Sequence, residues 1–144
     1  MAKIDDVSDC LLQLDANHGG EGLSNLKLQK LVYYAQGFYS ALYDKPLFED
    51  AIEAWMHGPV VSELYRKYKA YGAAAIPAPT EFDINCLSRD EQELLHEVFS
   101  VFGQFSAWKL RDMTHEEPPW IKHEKNAEMI PLSEITEYFK TRIH

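Results

Sequence analysis

The sequence predicts a mainly α-helical protein, folded as a single compact domain of about six helices. Apolar residues recur at helical spacing in several separate segments, and clusters of Gly, Pro and polar residues divide these segments. The length of 144 residues suits one ordinary domain, and 46% hydrophobic with 26% charged residues is typical of globular chains. We therefore expect residues 1–144 to share one core.

The first two helices have clear boundaries. One begins near Ile4 and ends at the polar and glycine-rich run 17–20, which suits a helix C-terminus and a turn. Ser24 is a good N-cap for the next helix, which closes before Pro46. The apolar face of this second helix is the longest in the chain and consists of Leu28, Leu31, Val32, Ala35, Phe38, Tyr39 and Leu42.

The middle of the chain is less regular. Residues 47–56 have a weak period that leaves a short extended element open, because apolar and polar side chains alternate over part of it. Pro59 fits the first turn of a third helix, which would end at Gly72. Residues 73–87 contain two prolines and no period, so we expect a linker that runs over the surface.

Capping residues mark the later helices. Ser88 and Glu91 form a capping box, and Ser106 is placed to cap a short helix over residues 107–114. A proline pair and Trp120 then interrupt the pattern, and a last helix follows Pro131.

Charge and composition restrict the class of partner. A net charge of −9 disfavours nucleic acid, since the phosphate backbone favours clustered Lys and Arg. No apolar run reaches the roughly 20 residues of a membrane span, and the start lacks the layout of a signal peptide, so we expect a cytoplasmic protein without a membrane partner. Cys10 and Cys86 are far apart and indicate neither a disulfide framework nor a zinc site.

Catalytic and metal-binding patterns are missing from the sequence. His115 and Glu116 begin like a zinc-protease motif, but Pro119 stands where the second histidine would be. No nucleophile elbow or phosphate loop occurs, so we expect no cofactor, no metal and no enzymatic activity. The alternative that stays open is an enzyme that uses His57 and His115 as acid and base with a tyrosine.

Two polar and aromatic rows flank the apolar face of the second helix. At helical spacing we expect both to point outward and to form a binding surface, although the tyrosines would also fit at the core edge with solvated hydroxyls. The rows consist of Lys27, Lys30 and Tyr34, and of Gln29, Tyr33 and Gln36.

Three segments together resemble the Panacea antitoxin domain family (SocA-like). They occur in the family's order, and read LKLQKLVYYAQG over residues 26–37, AWMHGPVV over 54–61 and LRDMTHEEPPW over 110–120. The resemblance implies a phage-associated antitoxin, encoded beside a toxin, that neutralises this cognate protein by direct contact. It leaves open an adaptor that delivers its partner to a protease, as well as the identity of the toxin and the homo- or hetero-oligomeric state.

The resemblance also assigns residues to two roles. Gly58 and Pro59 are expected to shape a turn, while Trp55 and Trp120 are expected to pack as a structural pair. The other residues expected to support the motifs are Gln29, Gln36, Val60, Thr114 and Pro119. The candidates for partner binding are Lys27, Lys30, Tyr33, Tyr34, His57, Tyr65 and His115.

Overall fold

A computed structural model describes residues 1–143, and this part of the chain contains seven α-helices and a three-stranded sheet. The predicted fold class is confirmed, and the extended element that the sequence left open within residues 47–56 is the strand at Ile52–Trp55. No helix in the described residues is long and apolar enough to cross a bilayer. The helices are α1 (Ile4–Asn17), α2 (Asn25–Tyr43), α3 (Ser62–Tyr68), α4 (Arg89–Phe102), α5 (Ala107–Thr114), α6 (Pro118–Ile121) and α7 (Leu132–Lys140), and the strands are β1 (Ile52–Trp55), β2 (Gly58–Val60) and β3 (Met129–Ile130).

Helix α2 is the centre of the hydrophobic core. Every residue from 28 to 37 is buried, since α1, α4, α5 and α7 pack around this helix. Gly37 allows α7 to approach, because a Cβ at this position would lie 2.3 Å from the ring of Phe139. A helix enclosed on all sides must place its polar side chains inside the protein, where each needs a hydrogen-bond partner.

The three predicted N-caps are confirmed. Ser24 Oγ accepts a hydrogen bond from Lys27 N at 3.2 Å, and Ser106 Oγ accepts one from Lys109 N at 3.0 Å. At the start of α4, the Ser88 hydroxyl and the carboxylate of the third helical residue bond reciprocally to backbone N–H groups. These bonds satisfy amide donors that the first helical turn leaves free.

The sheet has the order β2-β1-β3, and both pairings are antiparallel. Strands β1 and β2 form a hairpin in which Trp55 pairs with Gly58, so Met56 and His57 make a two-residue turn. The prediction that Pro59 would open the third helix is wrong, since Pro59 lies in β2 and α3 begins at Ser62. The reason is that the chain reverses at Gly58, whose φ is +110°, and pairs with β1 before it turns into the helix.

Residues 73–83 cross the surface between α3 and α4, as predicted for the linker, and a short 3₁₀ turn at Ile84–Cys86 follows them. Ile76 attaches this segment to the core: its side chain is buried, and its amide donates to the carbonyl oxygen of Leu23 at 2.8 Å.

Candidate functional site

Two consecutive residues of α2 hold the β1–β2 hairpin in place. Lys30 is wholly buried, and its Nζ donates to the carbonyl oxygen of Pro59 at 2.9 Å. The side-chain oxygen of Gln29 accepts a hydrogen bond from Val61 N at 2.9 Å. Strand β2 is therefore bonded to the central helix as well as to β1, which fixes the position of the turn.

Gly58 is required where the hairpin approaches α2. A Cβ on this residue would lie 2.5 Å from Lys30 Cε and 2.8 Å from the Thr114 hydroxyl oxygen. The φ of +110° is also one that residues with a side chain rarely adopt.

Replacement of Gly58 by alanine is expected to lower the free energy of unfolding by about 2 kcal/mol or more, because backbone strain and displacement of the buried lysine act together. Denaturant unfolding measures this loss. Gly72 offers a matched control, since its φ is also positive but nothing lies within 4 Å of the added Cβ. An equal loss for Gly58→Ala and Gly72→Ala would mean that the contact with Lys30 has no energetic role.

A buried carboxylate binds the two tyrosines of α2. The hydroxyls of Tyr33 and Tyr34 donate to the two oxygens of Glu117 at 2.9 and 2.8 Å, and Arg142 Nη1 donates to Oε2 at 3.3 Å. Burial raises the pKa of Glu117, and these hydrogen bonds oppose that shift. Burial is also the main reason why the pKa of each tyrosine is raised. Sequence reasoning missed Glu117, although it lies inside the third motif.

The prediction that the polar rows of α2 face outward is wrong. Lys30, Tyr33, Tyr34, Gln29 and Gln36 are all buried, since packing surrounds the helix and each polar group finds a partner inside the protein. None of them is accessible to a partner in this structure. The side chain of Gln36 accepts a hydrogen bond from Leu47 N and donates one to the carbonyl oxygen of Phe48. The remaining member of the rows, Lys27, is partly buried and donates to the carbonyl oxygen of Gly103 at 2.7 Å.

The third motif, residues 110–120, contacts the β1–β2 hairpin through Trp120. Trp120 Nε1 donates to the carbonyl oxygen of Trp55 at 2.7 Å, so the two tryptophans meet through this bond, while the Trp55 ring packs against Tyr65. The imidazole of His115 stacks on the Trp120 indole, with centroids 3.8 Å apart. Burial lowers the pKa of His115, and its Nε2 has no hydrogen-bond partner within residues 1–143. The other supporting motif residues, Pro59, Val60, Thr114 and Pro119, are buried.

Exposed side chains surround the turn. Met56 is 75% exposed and Trp108, on α5, is 55% exposed. His57 is exposed as well, and its Nδ1 accepts a hydrogen bond from Arg111 Nε at 3.2 Å. The Arg111 guanidinium in turn lies over the Trp108 ring, 4.7 Å from its centroid. We call these four residues the hairpin surface. Trp108 was not among the sequence candidates, since no motif or period marks it.

No assembled metal site or activated thiol accompanies this surface in the described part of the chain. Within residues 1–143, no group of three His, Cys, Asp or Glu side chains is placed to hold a metal ion. Burial raises the pKa of the Cys10 thiol to about 12, which keeps it protonated and unreactive at neutral pH.

The fold and site define a mainly helical domain in which hydrogen bonds from buried side chains hold the turn at Met56 and His57 on the surface. The family model described as "Antitoxin SocA-like, Panacea domain" matches residues 28–121, and the chain belongs to this family. The resemblance seen in the sequence is thus confirmed, and membership supports an antitoxin role, which in general implies a toxin partner.

The chain also resembles a curated protein. The chain is similar to "Antitoxin SocA" of Caulobacter vibrioides, with 31% identity over 109 residues, which cover 68% of this chain and 58% of that protein. The chain thus matches less than two thirds of the relative's length. No solved structure is significantly similar to the chain.

Proposed function

We propose that this protein is an antitoxin that neutralises a cognate protein toxin, encoded next to it, by direct binding. Family membership supports the antitoxin role. The observation that favours direct contact is the hairpin surface, where Met56 and Trp108 stand largely exposed beside His57. Large apolar side chains in such positions are typical of the residues that dominate the energy of protein interfaces.

The hydrogen bonds that hold the hairpin turn in place favour tight binding. Lys30, Gln29 and Trp120 each bond to the backbone of the hairpin, so the turn is ordered before a partner arrives. A surface that is already ordered loses little conformational entropy on association. We therefore assign Lys30, Tyr33 and Tyr34 to support, and keep His57 and Tyr65 as contact candidates.

Co-expression of the protein with each neighbouring reading frame tests the proposal. Growth rescue and recovery of a complex are the two measurements. Trp108→Ala and Met56→Ala are expected to weaken the complex about 10- to 100-fold, as truncation of an interface anchor does. Isothermal titration calorimetry of the purified pair measures the affinity.

Leu42→Ala is the matched control, because Leu42 is an apolar side chain, 51% exposed, near the other end of α2. It is expected to bind as the wild type does. No rescue and no complex with any neighbour would refute the antitoxin proposal. A complex that Leu42→Ala weakens as much as Trp108→Ala does would move the contact away from the hairpin surface.

A further inference from the structure

A groove lies beside the hairpin surface, between the β1–β2 turn and α3. Its volume is about 300 Å³, at the lower end of ligand-binding pockets. Its apolar lining includes Leu26, Val60 and the packed aromatic pair of Trp55 and Tyr65. The groove is therefore large enough to receive an apolar side chain of a partner, and it opens next to the exposed residues of the turn.

The free charge in this groove is positive. Lys69 lines it, and this exposed ammonium makes no ion pair within residues 1–143. No Asp or Glu of the described residues lines the groove, although the chain has 23 acidic and 14 basic residues. The carboxylate of Glu53 is already engaged, since it accepts a hydrogen bond from Trp55 Nε1 at 2.9 Å.

His57 supplies a second donor. Its Nδ1 accepts the hydrogen bond from Arg111 Nε, and a guanidinium nitrogen is a donor only, so the neutral imidazole carries its own proton on Nε2. His57 also lines the groove. Two side chains that carry hydrogen-bond donors, Lys69 and His57, thus line a groove that no Asp or Glu of the described residues lines.

We propose that the groove receives a segment of the toxin in which an apolar side chain stands next to a carboxylate. The apolar group packs against Trp55 and Tyr65, and the carboxylate pairs with Lys69 and His57. This inference rests on the proposed function and adds the chemistry of the partner. A nucleic-acid strand fits less well, because its backbone would need a row of basic residues and would be repelled by a net charge of −9.

The test uses the product of the neighbouring reading frame that the wild type binds. Lys69→Glu is expected to lower its affinity about tenfold or more at low salt, and high salt should reduce this difference, since screening weakens an interaction between charges. The melting temperature of Lys69→Glu should equal that of the wild type, because the side chain is exposed and unpaired. A scan of Asp and Glu to Lys in the partner should yield one change that restores binding to Lys69→Glu.

Lys125→Glu is the control, since Lys125 is an exposed lysine in a 3₁₀ turn that does not line the groove. Its affinity should stay within about twofold of the wild type. If Lys69→Glu binds normally, or if both reversals weaken binding equally, the groove assignment is wrong while the antitoxin proposal stands. If the wild type binds no neighbouring product, the proposed function fails and the groove assignment with it.

Discussion

Replacement of Glu117 by alanine is expected to lower the free energy of unfolding by about 3 to 5 kcal/mol. The substitution leaves the hydroxyls of Tyr33 and Tyr34 without an acceptor, and both side chains are almost completely inaccessible to water. It also removes the carboxylate partner of Arg142. Chemical denaturation, followed by circular dichroism, measures the loss.

Glu116 provides a control for the neighbouring position. Its side chain is exposed, so Glu116→Ala is expected to change stability by no more than about 0.5 kcal/mol. Glu117→Gln keeps one acceptor oxygen, so its loss of stability should lie between those of Glu117→Ala and Glu116→Ala. A loss below about 1 kcal/mol for Glu117→Ala would show that water or a rearrangement satisfies the tyrosines.

Replacement of Lys30 by methionine is expected to have the opposite effect and to stabilise the fold by about 2 kcal/mol at pH 7. Burial, with a contribution from Arg111, lowers the pKa of Lys30 from 10.5 to about 7. At about 1.4 kcal/mol per unit, this difference opposes folding by about 4 to 5 kcal/mol. Methionine removes the cost of burying the lysine. It also leaves the Pro59 carbonyl without its donor, which lowers the gain in stability by about 1 to 3 kcal/mol.

The dependence on pH identifies the lysine as the cause. Between pH 7 and 10.5 the unfolded chain binds the Lys30 proton more strongly than the folded chain, so the stability of the wild type rises with pH. Lys30→Met lacks this rise, and its advantage should shrink by up to about 1.4 kcal/mol per pH unit. Measurements should stop near pH 9, because the unfolded Cys10 thiol begins to ionise there and favours unfolding.

Lys45→Met is the control for the substitution itself, because Lys45 is exposed. It should follow the wild type at every pH. A constant difference between wild type and Lys30→Met from pH 7 to 9 would contradict the lowered pKa.

Local signals in the sequence were sufficient for the starts of three helices. Ser24, Ser88 and Ser106 cap α2, α4 and α5 as predicted, since a cap depends on residues within three positions of each other. Gly58 and Pro59 were recognised as a turn, but not as part of a hairpin. Pairing with β1 and the bond from Lys30 depend on tertiary contacts that a helix-starting proline does not reveal.

The partners of the polar residues could not be predicted from the spacing on α2. Periodicity identifies the most apolar face of a helix, but it does not show whether other helices cover the remaining faces. Tyr33 and Tyr34 bond to a carboxylate more than 80 positions away, and Lys30 bonds to a carbonyl 29 positions away. The family motifs did indicate that these residues matter, since each partner lies in another motif.

The long separation between Tyr33 and Glu117 also bears on synthesis. The two residues are 84 positions apart, so at roughly 5 to 20 residues per second the ribosome adds Glu117 about 4 to 17 seconds after Tyr33. Until then water is the acceptor for the tyrosine hydroxyls of α2, and α7 has not yet been made to cover Gly37. The buried network that joins α2 to the third motif can therefore form only late in synthesis, so a chain that ends before Glu117 lacks it.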